Sequence, residues 1–530
     1  MSRKVLRRGA LAVSLASLTA LALAACGSSS SSSGGAGGSK TLRVALSSLS
    51  QCNDPQLDNY GFGSSIGRQI VDSLVARDPS DANKIDPWLA KSWKVSPDAK
   101  TYTFHLRDGV TFSNGEKLTA QVVKDNFVTL AKYTEATGSA FVQGISSIDT
   151  PNASTVVIKF ARPNAPFLQA AAQYQLGIVA EATLKESQDD RCANGVIGSG
   201  PYVTKSFTLN KNWVLKKRKG YNWASTAAKH QGEGYFQQID FTFVQEASVR
   251  TGALKSGQVD LAPLTFQDVE GAKAAGLQTL SAPNRVPAVS LEVNTSKGVL
   301  QDEKVRQAFR DAIDRQDVVD KATSGLAKPA TGSLTAASPF HLDQSGLLKY
   351  DPKTATSLLE SAGWTQVKNG IRYKDGKPLK ITVTYANDPA NTQFLQVIQA
   401  DVKKVGIDFE LRALPTDAFD KALSTGDYEV HRWSGALIDG DVLRTLFSAK
   451  TLNKSQLPAN NDLEPLFTAE QSTSDPAKRT KIIDKLQQLI VGRGYQIPIF
   501  DNVTYYGAAK DLQGVAFDDS AILLYDAKLG

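Results

Sequence analysis

Two stretches of the chain change hydrophobic period in the same order. In "IDFTFVQEASVRTGALKSGQVDLAP", alternation over residues 239–245 predicts a strand and the next run a helix over about 247–256. Gly257 stops that helix, and a second strand is expected at 259–263. "KITVTYANDPANTQFLQVIQADVKKVGIDFELRAL" repeats the plan, with a strand at 380–385, Asp388 as N-cap and Pro389 at the first helical position. Its helix runs to Val405 and Gly406 ends it, after which Ile407, Phe409 and Leu411 alternate in the next strand. Strand–helix–strand units this short are expected to pair their strands in parallel through a right-handed crossover. The two units are more than a hundred residues apart, which predicts two α/β lobes rather than one large sheet.

Other elements fit that plan. "QDEKVRQAFRDAIDRQDVV" puts Val305, Ala308, Phe309, Ala312 and Ile313 on one helical face. In "YDPKTATSLLESAGW", Asp351 caps a helix, Pro352 starts it, Leu358 and Leu359 pack, and Gly363 stops it. Residues 101–118 alternate, with turns at Asp108-Gly109 and Asn114-Gly115, and predict β-hairpins inserted in the first lobe. "GVIGSGPY" at 195–202 is followed by a proline and a strand-like stretch, so a tight turn or a domain crossing is expected rather than a phosphate loop.

The N-terminus adds export. Arg3, Lys4, Arg7 and Arg8 precede a charge-free run over residues 9–25, the layout of a secretory signal. Leu23-Ala24-Ala25-Cys26 resembles the bacterial lipobox, in which the cysteine is acylated and becomes the mature N-terminus; the alternative is an ordinary signal cut nearby. The Ser/Gly-rich residues 27–40 predict a tether spanning roughly 20 Å. Removing the four signal cations takes the net charge from +7 to 7 − 4 = +3, which gives no support to a polyanionic partner. The run Lys216-Lys217-Arg218-Lys219 is expected to be a solvated strand end, not a nucleic-acid patch. Cys52 and Cys192 remain, and an even pair in an exported chain predicts one disulfide; two buried thiols are the alternative.

Catalytic signatures are missing. The sequence contains no G-x-S-x-G, no G-x-x-x-x-G-K-[ST], no H-E-x-x-H and no G-x-G-x-x-G after a strand. His105, His230, His341 and His431 share no metal-ligand spacing. No enzyme activity, metal site or cofactor is therefore expected.

Five phrases in order resemble the extracytoplasmic solute-binding proteins of ABC importers, family 5, the peptide/nickel-binding group. They are "SPDAKTYTFHLRDGVTFSNGEKLTAQVVKDNF", "GSGPYVTKSF", "LKSGQVDLAP", "LEVNTSKGVLQDEKVRQAFRDAIDRQDVV" and "YDPKTATSLLESAGW". The resemblance implies a bilobal, type II (cluster C) periplasmic-binding-protein-like α/β fold with an extra β-rich subdomain in lobe I. Residues 1–25 map to the signal peptide and 26–40 to the lipidated cysteine and linker. Lobe I maps to 41–75, 196–288 and 505–530, the inserted subdomain to 76–195, and lobe II to 289–504.

The implied function is capture of peptides or similar small solutes between the lobes and delivery to a membrane permease, by a monomer anchored outside the cell membrane through Cys26. Nickel-chelate or oligosaccharide binding is the alternative within the family; a cell-surface enzyme or a structural lipoprotein is the alternative outside it. Where peptide binders carry W-x-G-D, this chain reads "HRWSGALIDGD": Trp433 and Gly435 match, and Ala436 takes the place of the ammonium-binding aspartate. Asp439 and Asp441 are the candidate substitutes, with capping of a helix near Val442 as their competing role. Trp433 and Arg432 are the leading cleft candidates, joined by Asn387 at a strand end and by Asp54 and Tyr60 after the first strand.

Overall fold

The computed structural model describes residues 41–47, 52–57, 63–81, 83–285, 287–433, 439–518 and 521–530. The signal-like segment, the tether, Cys26, Tyr60, Gly435 and Ala436 lie outside the described residues.

Two mixed sheets organise the chain. The seven-stranded sheet runs in the order Gln278–Pro283, Val503–Ala508, Leu261–Leu264, Thr41–Leu46, Gln238–Phe243, Asn212–Lys217, Tyr202–Thr208. The helix Ala247–Lys255 joins two of its strands, as the sequence predicts, yet those strands are not neighbours. Thr41–Leu46 lies between them and is parallel to both. A local pattern finds the crossover but not the strand that a distant segment inserts into the gap.

The second sheet has the order Lys328–Pro329, Gln496–Asp501, Val289–Val293, Val430–Trp433, Lys380–Ala386, Asp408–Leu414. Here the strand–helix–strand unit closes as expected, with Lys380–Ala386 and Asp408–Leu414 paired directly and in parallel. The Asp388 side chain accepts from the N–H groups of Ala390 and Asn391 and starts the helix Pro389–Lys403. Val305, Ala308, Phe309, Ala312 and Ile313 are all fully buried in this lobe's core.

The chain passes between the sheets twice, over residues 284–288 and at Asn502. The two crossings are bonded to each other, the Asn284 N–H donating to Asn502 O at 3.1 Å.

The inserted region forms a third layer, a four-stranded antiparallel sheet in the order Ala90–Val95, Thr101–Leu106, Thr155–Phe160, Ile145–Asn152. Tyr102, Phe104, Phe127 and Phe160 gather around Phe167 in its core. Only the first half of the 101–118 alternation becomes a named strand; the rest is a turn-rich excursion held by one bridge between Thr111 and Lys117.

Cys52 and Cys192 are joined by a disulfide, with Cα atoms 4.3 Å apart. "GSGPY" is a point of close approach. A Cβ on Gly200 would stand 2.5 Å from Ile70 C, and one on Gly198 would overlap Ile70 O. Arg218 departs from the expected solvated run: it is buried and donates to Ser199 O (2.9 Å) and Phe112 O (2.7 Å), tying this turn to the inserted region.

Candidate functional site

Alternation along Val430–Trp433 sends neighbouring side chains to opposite faces of the second sheet. Val430 joins the core on the helix-covered face, and Arg432 lines a cavity of about 340 Å³ with Asn391, Phe394, Phe266 and Tyr505. The Arg432 Nε atom is buried with no hydrogen-bond partner among the described residues, and burial lowers the pKa of its guanidinium. Trp433 packs instead on the other face, against the cluster containing Leu446, Phe447 and Leu486. The two adjacent candidates therefore face opposite sides of the sheet, and Trp433 lines neither this cavity nor the larger one described below.

Beneath Trp433 lies a polar layer. The Lys454 ammonium sits 5.6 Å from the indole centroid, and the indole N–H has no hydrogen-bond partner among the described residues. His431 is fully buried; desolvation first, then the Lys454 charge, push its imidazole down to about 3. It therefore stays neutral at physiological pH, and its Nδ1, 3.1 Å from Arg432 O, carries the proton. Glu292, paired with His431 in the strand register, accepts from Ser290 Oγ (2.8 Å) and Gln496 Nε2 (3.1 Å). Burial pushes its carboxyl up to about 7.

A larger cavity, about 540 Å³, separates the inserted region from the second lobe. Phe141, Gln143, Gln169 and Gln173 face it from one side, and Asp439, Asp441 and Arg444 from the other. Its rims touch: the Ala165 N–H donates to Gln471 O (2.9 Å) and Ser474 Oγ donates to Pro97 O (2.9 Å). The inserted region and the second lobe are thus in direct contact beside the cavity.

Both aspartates reach this cavity, and both are committed to arginines. Asp439 accepts from Arg479 Nη1 at 2.9 Å and from Nη2, while the Nε of the same arginine donates to Glu470 at 2.9 Å. Asp441 takes a two-point contact from Arg444, each bond 2.6 Å. Asp441 occupies the N-cap position of the helix Val442–Phe447 without a side-chain cap bond, while Asp439 Oδ1 accepts from the Asp441 N–H at 2.8 Å and so also serves the helix start.

Two other candidates fall elsewhere. Asn387 is exposed at the end of its strand, bonded through its backbone N–H to Leu414 O, and lines neither cavity. Asn391, four residues on in the first turn of the capped helix, is the one that faces Arg432. Asp54 turns inward: it has no exposed surface and pairs with Arg191 at 2.6 Å, beside the disulfide. The glutamines at 143, 169 and 173 escaped the sequence reading because isolated amides in a distant insertion carry no spacing signal.

Two α/β lobes joined by paired crossings, with a cavity between the inserted region and the second lobe, form the architecture of a two-lobed binding protein. Residues 84–455 match the family described as bacterial extracellular solute-binding proteins, family 5 Middle, and the chain belongs to that family. The nickel-binding periplasmic protein of Escherichia coli (strain K12) is 28% identical over 403 residues, covering 73% of this chain and 72% of that protein. The probable D,D-dipeptide-binding periplasmic protein DdpA of the same strain is 26% identical over 444 residues, covering 81% of this chain and 82% of that one. NikA from Brucella suis, solved in complex with Fe(III)-EDTA, superposes with a TM-score of 0.80 at 22% identity, over 92% of this chain and 100% of that one. The chain is an extracytoplasmic solute-binding protein of the ABC-transporter type.

Proposed function

We propose that this protein is a lipid-anchored monomer that captures a peptide or similar small solute in the 540 Å³ cavity and hands it to a membrane permease, with no bond made or broken. The observation that carries the ligand class is the chemistry of the cavity wall. Gln169 and Gln173 turn their amides to the cavity, and Gln143 donates through Nε2 to Ala131 O and Ser139 Oγ. Asp439 and Asp441 are already balanced by Arg479 and Arg444, while the exposed Arg162 has no ion pair among the described residues. Such a wall suits a peptide-like solute hydrogen-bonded along its length, with Arg162 available to a carboxylate. Among the described residues it lacks the free carboxylate that would hold an isolated ammonium, in line with Ala436 standing where peptide binders carry aspartate. The likeness to DdpA supports a dipeptide-sized ligand.

A second reading, a metal chelate, is favoured by the likeness to the nickel-binding protein. Among the described residues no group of three His, Cys, Asp or Glu could hold a metal ion, so the metal would arrive with its own chelator.

Native mass spectrometry of the mature protein, followed by parallel calorimetric titration with a D,D-dipeptide and with Fe(III)-EDTA, separates the two readings. A co-purified peptide mass or a dipeptide isotherm supports the first, and a chelate isotherm alone overturns it. Trp433, packed on Leu446 and Phe447 behind the second-lobe wall, is proposed to support that wall rather than to touch the solute. Trp433→Ala is expected to weaken binding with the fold intact, and unchanged affinity would remove it from the site. The lipobox-like segment supports the anchor, so Cys26→Ser is expected to lose the acyl mass.

A further inference from the structure

The cavity of about 340 Å³ beside Arg432 shares no lining residue with the 540 Å³ cavity and lies where the chain passes between the two sheets. Asn502, the second crossing, and Val289, next to the first, both border it. Its volume falls at the lower end of small-molecule sites. Each lobe supplies it with one aromatic pair. Phe266 and Tyr505 come from the first, edge to face with ring centres 6.2 Å apart, and Phe394 and Phe500 from the second, edge to face at 5.9 Å.

Among the described residues that border this cavity, Arg432 alone is charged; the others bring amides, hydroxyls and apolar groups. Its guanidinium makes no ion pair and no hydrogen bond with any described residue, and its Nε atom is buried. Burial lowers the pKa of that guanidinium, and the carboxylate whose field opposes the shift is Asp388. Asp388 is exposed, lies outside the lining, and accepts from the Ala390 and Asn391 N–H groups instead. A guanidinium held largely out of water without a counter-ion is disfavoured, and an anion entering the cavity relieves that penalty. Asn391 and Asn502 add amide-bearing residues to the same lining, so a carboxylate there has hydrogen-bonding neighbours besides the arginine.

We propose that this cavity is a second ligand site, taking a small aromatic carboxylate. The ring would lie between the Phe266–Tyr505 and Phe394–Phe500 pairs and the carboxylate on the Arg432 guanidinium. The two pairs belong to different sheets, so one bound molecule touches both lobes. The site is independent of the solute in the larger cavity.

The test is calorimetry on the full mature protein with 3-phenylpropionate and its neutral counterpart 3-phenylpropionamide. The carboxylate is expected to bind, with the amide weaker by about tenfold or more, the equivalent of about 1.4 kcal/mol. Arg432→Gln should bring the carboxylate down to the level of the amide and leave the amide unchanged. That variant should melt no lower than the parent protein, because the charge it removes has no partner. Should it melt lower, Ala390→Trp closes the same cavity from an exposed position and is expected to remove binding of both compounds. No heat from the carboxylate up to about 10 mM, equal binding of the amide, or full carboxylate binding by either variant would overturn the assignment.

Discussion

Replacing Arg479 by methionine tests the charge network that holds the second-lobe wall of the cleft. Arg479 is 5% exposed and bridges Asp439, on the cavity, to Glu470, which has no exposed surface. Burial and the neighbouring Asp441 push the Glu470 carboxyl up, and the Arg479 charge draws it back. Methionine keeps much of the volume and removes the charge, leaving Glu470 buried without its cation. Breaking one side of a buried pair costs about 3–5 kcal/mol, against about 0–1 kcal/mol for a surface pair. For a unit the size of the second lobe, each kcal/mol lowers the melting temperature by about 2–4 °C, so a fall of about 6–20 °C is expected. Scanning calorimetry resolves that against the unsubstituted protein. Adding Glu470→Leu removes the orphaned charge and should recover most of the loss, because the penalty lies in the unpaired carboxylate more than in the missing bond. A fall under about 1 kcal/mol in the single variant, or no recovery in the double, would refute the reasoning.

Reducing the Cys52–Cys192 disulfide releases a closure over 140 residues, for which chain entropy sets a cost of up to about 5 kcal/mol; melting with and without reductant measures it. Gly198→Ala and Gly200→Ala each drive a methyl into the Ile70 backbone and should cost about 1–3 kcal/mol, read by urea titration, whereas Gly109→Ala meets no neighbour and should pay only for its left-handed backbone. Glu292 keeps its proton up to about 7 when folded but releases it near its ordinary 4.5 when unfolded. The folded state therefore holds the extra proton between those values, and its contribution to stability falls as pH rises from 4.5 to 7, by about 1.4 kcal/mol per unit at most. Glu292→Gln should flatten that part of the stability–pH curve, and an unchanged slope would show that the carboxyl is solvated.

Local chemistry was readable wherever one segment supplies all the partners. Asp388, Pro389 and Gly406 mark a helix because a cap, a preset φ and a left-handed stop act within a few residues, and the structure starts it at Pro389. The same holds for the helix Pro352–Ser361 behind its Asp351 cap. Family membership was legible too, because the phrases that carry it are turns and caps of this kind.

Which atoms face one another was not legible. Arg432 and Trp433 are adjacent in sequence, yet the pleat sends them to opposite faces; Asp439 looks like a free acid until Arg479 arrives from 40 residues on, whereas Asp441 meets Arg444 three residues along its own helix start. By itself the sequence determined the two α/β lobes, most helix starts and the receptor family, since periodicity and capping act within a dozen residues. Tertiary structure decided which strand sits between two others, which carboxylates are neutralised and which amides line the cleft. Those outcomes depend on burial and on charges brought together from segments far apart in the chain, and burial sets the strength of every polar contact.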